Sequence, residues 1–531
     1  MAAAMTKQVD VVVVGAGWAG MYMLYRLSEL GLSVRLFDAG SGPGGTWCWN
    51  RYPGARCDSP SLDNSYSFSE ALQQEWVWTE KFAAQPEIER YANHVADRFG
   101  LRPQMQFETK VTAIGDEDLF RHLYVFQRTP NFHLPNRNGP LDPQVDRQFK
   151  KTYAAYRERA RRSGFGIAAE VGARLTMDHS DEEFLRTMDA AWARGGFHPL
   201  VAFPDISSNP LANERVAEYM RNDIRRRVKN PAVSELLCLK GWHVGARRVV
   251  QENGYFEHFN KPNVTLVDVK SAPIEAITAH GIRTREGFYE LDMLVLATGF
   301  DSGTGAMLQV SCVGAGGKSF AKKWQAGPMS YLGLMAHGFP NLFLLAGPGS
   351  PSIRSHVIVS CEQHVEWLAD LVRHMRDDDL DTVECTPEAE AEWTKHVADV
   401  AATSLMATGD TQYVGFNIPG KPRVYLAYLG GVGTYRQICD RVRDNGYQGL
   451  VFRRGDEALC RDRHSVRVAN NPSAPTTYTS NAFALSRSAT AAHWRWWHWH
   501  GCCTRRPTWC PYLAWRKWNT SPRTSRPPGC N

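Results

Sequence analysis

The feature that most constrains this chain lies near its N-terminus. Val11–Val14 is an apolar, β-branched run that stops at Gly15, and Gly15, Gly17 and Gly20 follow in the spacing G-x-G-x-x-G. Met21–Leu30 then has helical spacing, and Ser33–Phe37 is a second strand pattern that closes on Asp38. Strand, glycine turn, helix, strand and acid in this order form the signature of a dinucleotide-binding unit. Gly15 makes the tight turn, Gly17 lets the backbone approach a pyrophosphate, and Gly20 lets helix and strand pack closely. The helix N-terminus adds amide donors and a positive dipole for the phosphates. Asp38, 18 residues past Gly20, is placed to take a ribose hydroxyl.

Composition serves mainly to exclude. The chain has 531 residues, 43% hydrophobic and 22% charged, which suits two or three globular domains and rules out disordered or disulfide-scaffold classes. No apolar run approaches the ~18 residues of a membrane span, so a cytoplasmic protein without a membrane partner is expected. The net charge of +6 comes from the tail, because residues 456–531 carry 11 basic and 3 acidic side chains against 50 and 52 in the rest. The body has no basic excess with which to bind nucleic acid. Outside the tail the cysteines are scattered singly from Cys48 to Cys439 without a CxxC pair, as in a reduced intracellular enzyme.

Gly42–Asp58 reads Gly-Pro-Gly-Gly-Thr-Trp-Cys-Trp-Asn-Arg-Tyr-Pro-Gly-Ala-Arg-Cys-Asp, a poor helix and a poor strand. Such a run forms an ordered loop, which is costly unless it holds something. It resembles the FAD-wrapping segment of Baeyer–Villiger monooxygenases, phenylacetone-monooxygenase-like members in particular. The resemblance continues in family order through Tyr66–Ser69, Glu75–Glu80, Val125–Pro130, Asn213–Ala217 and Leu294–Asp301. It goes on through Phe339–Phe343, Ala346–Pro351, Glu362–Trp367 and Asn417–Arg423, so that it spans roughly residues 6–452. It implies an α/β fold with two Rossmann-like domains and a helical insertion. FAD is then expected at Gly15, Gly17, Gly20 and Asp38, with Gly45, Thr46, Trp47, Asp58 and Val111. The reaction implied uses NADPH and O₂ to turn a small ketone into an ester or lactone.

The second dinucleotide-binding fold is incomplete. The strand-like Phe107–Ile114 passes through Gly115–Asp118 straight into Leu123–Arg128, with neither a second glycine turn nor the family signature motif between them. A βαβ unit needs about 30 residues. The resemblance matches Arg128 and Thr129 to contacts of the NADPH 2′-phosphate and Arg247 to a further NADPH contact. One end of that site is therefore present and its pyrophosphate cradle is missing, so impaired NADPH binding is expected. Gly314–Ser319 has Cys312 where a phosphate loop needs its first glycine and reads as a loop; Gly430–Gly433 reads as a turn that opens no helix.

For chemistry, the resemblance matches Arg248, in Lys240–Arg248, to the catalytic arginine and Asp58 to the carboxylate that positions it. A guanidinium polarises a carbonyl without donating its proton. Departures from the family pattern stand at Cys48, Asn64, Gln412 and Phe416. His364, beside Glu366, lacks H-E-x-x-H spacing and reads as a helix-surface residue, and Asn213–Val228 reads as a charged amphipathic helix.

The organisation expected is an FAD domain in two segments (1–118 and 301–455), an incomplete NADPH domain at 119–300 with its insertion at about 140–235, and a Trp/Arg-rich tail at 456–531. The tail is expected to be irregular and dispensable. His498, His500, Cys502, Cys503 and Cys510 fit no zinc spacing, so no metal is expected. The leading function is an FAD- and NADPH-dependent Baeyer–Villiger monooxygenase. The alternatives are a non-enzymatic flavin-binding remnant and a flavin oxidase or reductase without a nicotinamide site.

Overall fold

The computed structural model describes residues 6–38, 40–52, 54–107, 120–295, 303–308, 310, 312–416, 418, 420–454, 464–468, 476–480, 482–486 and 512–517. Nine strands form the two main sheets: β1 (Val11–Val14), β2 (Val34–Asp38), β3 (Met105–Phe107), β4 (Phe120–Gln127), β5 (Val264–Asp268), β6 (Met293–Val295), β7 (Leu342–Leu345), β8 (Ala482–Ser486) and β9 (Tyr512–Lys517). The helices used below are α1 (Trp18–Glu29), α2 (Gln85–Arg98), α3 (Pro210–Arg227), α4 (Val357–Asp377) and α5 (Val432–Asp444).

The first sheet is wholly parallel in the order β7-β8-β1-β2-β3. Val12, Val13, Leu36, Leu344 and Leu345 are fully buried in it. A strand buried on both faces needs an unbroken apolar run, and Val11–Val14 and Leu342–Leu345 supply one. Helix α1 packs on α4 over this sheet, and Leu24, Leu27, Ile88, Val95, Ile358, Val365 and Leu368 join one core. The second sheet runs β6-β9-β4-β5, with β4 and β5 parallel and β9 antiparallel to both neighbours. A separate core around Phe184, Met188, Trp192, Val216 and Met220 holds the helical insertion, where α3 buries Val216 and Met220 and bonds Arg225 to Glu218 and Glu235 and Arg227 to Glu257. No described helix is long and apolar enough to cross a membrane.

Three expectations are corrected. The tail is not irregular throughout, because β8, β9 and two further strands, His464–Val468 and Thr476–Ser480, lie within it. Of these, β8 takes the interior place between β1 and β7, pairing with both. His364 is fully buried rather than on a helix surface, its Nδ1 accepting the Ala346 N–H at 3.2 Å. Gly430–Gly433 does open a helix, since α5 starts at Val432 behind the Gly431 N-cap (φ 92°). Gly433 is needed there, because a Cβ would meet the Arg162 carbonyl oxygen at 2.3 Å. The tail histidines and cysteines from His498 to Cys510 lie outside the described residues.

Ala484 pairs with Val13 on one side and Phe343 on the other. Ala484→Pro removes an interior ladder donor and leaves a buried carbonyl unmatched. It is expected to cost about 2–4 kcal/mol in denaturant unfolding, and truncation after Arg454 is expected to cost more. Unchanged unfolding in both would restore the dispensable tail.

Candidate active site

The glycine turn sits where β1 meets α1. Gly15 has φ 103° and donates its N–H to the Phe37 carbonyl at 2.7 Å. A Cβ on Gly20 would lie 1.7 Å from the Gly15 oxygen, so only glycine lets α1 approach its own turn. Gly17 caps α1 without a side-chain hydrogen bond. Asp38, 6% exposed at the end of β2, accepts the Ala16 N–H at 2.5 Å and the Gly40 N–H at 2.6 Å. The carboxylate expected to read a ribose also ties the turn to β2. Burial raises its pKa from 3.8 to about 6, against the pull of these two amides.

The glycine- and tryptophan-rich loop is bound onto this turn. Gly44 (φ 125°) donates its N–H to the Ala16 carbonyl at 2.9 Å, and Gly45 (φ 55°) caps the short helix Thr46–Trp49. Thr46 is exposed and Trp47 half-buried. Gln85, at the start of α2, donates its side-chain amide to the Trp47 carbonyl and its backbone N–H to the Ala55 carbonyl. The Cys57 N–H then bonds the Ala83 carbonyl, which brings Asp58 to the loop's end.

There Asp58 meets Arg248. Arg248 Nε donates to Asp58 Oδ2 at 2.6 Å and Nη2 to Oδ1 at 2.8 Å, a bidentate pair between residues 190 apart. Gln251 Nε2 holds the Asp58 carbonyl at 2.6 Å, and Asn131 Nδ2 holds the Arg248 carbonyl at 2.9 Å. Burial opposes the guanidinium's charge, but the Asp58 carboxylate and its hydrogen bonds outweigh it and raise the Arg248 pKa. The side chains keep 43% and 34% of their exposure, and open pairs contribute little stability. What the pair fixes is where a permanent positive charge sits.

The remaining candidates divide. Arg128 and Thr129 are half-buried just past β4, two residues before Asn131 and its bond to Arg248. The Arg247 guanidinium lies 4.3 Å from the Trp242 ring centroid. Val111 lies outside the described residues. Missed by the sequence reading is His356, 5% exposed, with no hydrogen-bond partner for either ring nitrogen among the described residues. Burial, then the charges of Arg157 and Arg248, lowers its pKa to about 3, so it is neutral. No periodicity marks it. Its position between two family-like stretches was the only available signal.

Comparison with known proteins agrees with this geometry. A family described as an NAD(P)-binding Rossmann-like domain matches residues 13–62, the glycine turn and its loop. The chain is 31% identical to acetone monooxygenase (methyl acetate-forming) of Gordonia sp. (strain TY-5), over 84% of this chain and 99% of that protein. It is 32% identical to a Baeyer–Villiger monooxygenase of Pseudooceanicola batsensis, over 85% and 97%. The chain belongs to the Baeyer–Villiger monooxygenase family. Among solved structures of these flavin enzymes, it is similar to an oxidized steroid monooxygenase bound to NADP (TM-score 0.78, 36% identity, 84% of this chain and 100% of that one). It is also similar to cyclohexanone monooxygenase from Rhodococcus sp. Phi1 bound to NADP⁺ (TM-score 0.80, 31% identity, 85% and 100%). The acetone monooxygenase alignment extends over 531 positions while using 84% of this family member, so part of the relative faces a gap.

Asp38 gives a pH test. The folded state holds its proton more tightly than the unfolded state, so Asp38's contribution to stability falls as pH rises from about 4 to 6. A rise of about two units corresponds to about 3 kcal/mol. In ligand-free protein this slope is expected to vanish in Asp38→Asn, measured by urea unfolding across that range.

Proposed function

We propose that this chain is an FAD-dependent monooxygenase that converts ketones to esters or lactones with O₂, with Arg248 as the residue that stabilises negative charge and polarises the carbonyl. The observation that carries the reading is the bidentate Asp58–Arg248 pair, built at the end of the flavin-type loop from residues far apart in sequence. The site fits FAD: Gly20 in the turn has no room for a Cβ, and the loop is hydrogen-bonded onto the turn. Gly15, Gly17, Gly20 and Asp38 would hold the pyrophosphate and ribose, with Gly45, Thr46 and Trp47 closing over them. FAD, when bound and reduced, supplies the activation of O₂. Arg248 keeps its proton throughout, and Asp58 orients its fork so that Nη1 remains to face a developing oxyanion.

The fit to NADPH is partial. Arg128 and Thr129 at the end of β4, with Arg247, support a 2′-phosphate contact. Beside β4, however, stands antiparallel β9. A parallel neighbour would end on the same side as Arg128 and lead into a helix N-terminus; an antiparallel one ends on the other side. Among the described residues no second strand–glycine turn–helix adjoins β4. That observation favours the second reading, a flavin-binding remnant with poor nicotinamide turnover.

Denatured holoprotein is expected to release close to one FAD per chain; release of NAD, or of nothing, from folded protein would overturn the assignment. Dithionite is expected to bleach the flavin fully, while anaerobic NADPH does so far below ~1 s⁻¹, the low end for ordinary enzyme turnover. With the flavin reduced photochemically and then mixed with O₂ and a ketone, Arg248→Ala is expected to lower ester yield about 10²- to 10³-fold.

A further inference from the structure

Arg354 is a second guanidinium at this site, and its partners leave its charge unanswered. Its Cζ lies 4.7 Å from the Tyr413 ring centroid, and its Nη2 lies 2.9 Å from the Met406 sulfur, a weak acceptor. Its Nε is buried and has no hydrogen-bond partner. Among the described residues no carboxylate lies within ion-pair distance of it, whereas Arg248 has Asp58 and Arg423 has Asp410. Arg354 is also close to the Arg248 segment. A Cβ on Gly245 would lie 3.8 Å from its Nη2, and Gly245 is only three residues before Arg248, at most about 11 Å of backbone. Tyr413, 2% exposed, stacks on Arg354 and also bears on the charge of Arg248.

A stacked ring and a thioether hold a guanidinium in place without neutralising it. Such a charge, half-buried and without a carboxylate among the described residues, is kept at a cost unless an anion completes it. Tyr413 covers one face of the fork, which leaves its edge to bond in plane. That edge suits a planar carboxylate, which accepts two parallel N–H bonds.

Resting on the monooxygenase reading above, we propose that Arg354 is a specificity-determining residue that binds a carboxylate on the ketone substrate, so that the preferred substrates are oxo acids. The carbonyl then faces Arg248 and the acid faces Arg354. An anion on a nicotinamide cofactor is the other possible source of the same chemistry, and the test separates the two.

The experiment compares 6-oxoheptanoate with its methyl ester by calorimetry on the purified chain at low ionic strength, with flavin content read from the absorbance spectrum. The acid is expected to bind at least tenfold tighter than the ester, Arg354→Met to bind the two alike, and Arg354→Lys to keep part of the preference. Equal binding of acid and ester by the wild-type chain overturns the proposal even if the variants fail to fold. A preference retained in folded Arg354→Met overturns it as well. Displacement of the acid by inorganic phosphate or 2′,5′-ADP at equal concentration assigns Arg354 to the cofactor and also overturns it. Flavin present without the preference removes the subsite alone. The preference without flavin leaves the subsite standing and removes the monooxygenase reading.

Discussion

The approach of α1 to its own glycine turn sets the position of everything else in the site. Gly20 lies so close to the Gly15 carbonyl that no side chain fits between them. With α1 held there, the Ala16 N–H bonds Asp38 and the Ala16 carbonyl receives Gly44. From Gly44 the loop is pinned in turn by Gln85 and Ala83, and it ends at Asp58 with Arg248 in its carboxylate. Hydrogen bonds spaced along one loop therefore connect the turn to the Arg248 charge. A shift at the turn would be carried along that series, which is why a small change far from Arg248 can misplace it.

A second set of contacts brings together stretches that look unrelated along the chain. The Ser67 N–H and hydroxyl both donate to the buried Glu362 carboxylate, at 2.5 and 2.6 Å. Tyr66 packs edge-on against Trp18 at 5.1 Å and donates its hydroxyl to the Trp18 carbonyl. Arg157, 3% exposed, donates to the Ser65 carbonyl at 2.6 Å. The insertion, α1 and α4 thus meet around one polar core, where each charged group is held by neighbours rather than by water. Breaking one partner in such a core leaves the other buried and unmatched, which costs more than the bond itself contributes.

The interrupted second fold has a different consequence in each sheet. In the first, β8 is parallel to both neighbours and continues the pattern of the sheet. In the second, β9 runs against both neighbours and closes the backbone ladder, and among the described residues no phosphate-binding turn adjoins it. Hydrogen-bond pairing of the main chain can be satisfied by a strand of either direction. A helix N-terminus aimed at a pyrophosphate requires one direction only.

By itself the sequence determined the first dinucleotide-binding unit. Its glycine spacing, apolar strands and terminal acid are local, and each has one physical purpose. Motif order also pointed to Arg248, Asp58 and the family, because those residues lie in stretches distinctive enough to match one by one. What the sequence left open depended on contacts between distant residues. That His364 is buried, that α5 begins at Val432 behind Gly431, and that Arg354 stacks on Tyr413 with no carboxylate beside it among the described residues follow from how helices and loops meet. The place of Ala482–Ser486 in the central sheet is of the same kind. A five-residue stretch carries too little pattern to announce itself, and it becomes a strand because two buried neighbours leave unpaired backbone groups that only another strand can satisfy.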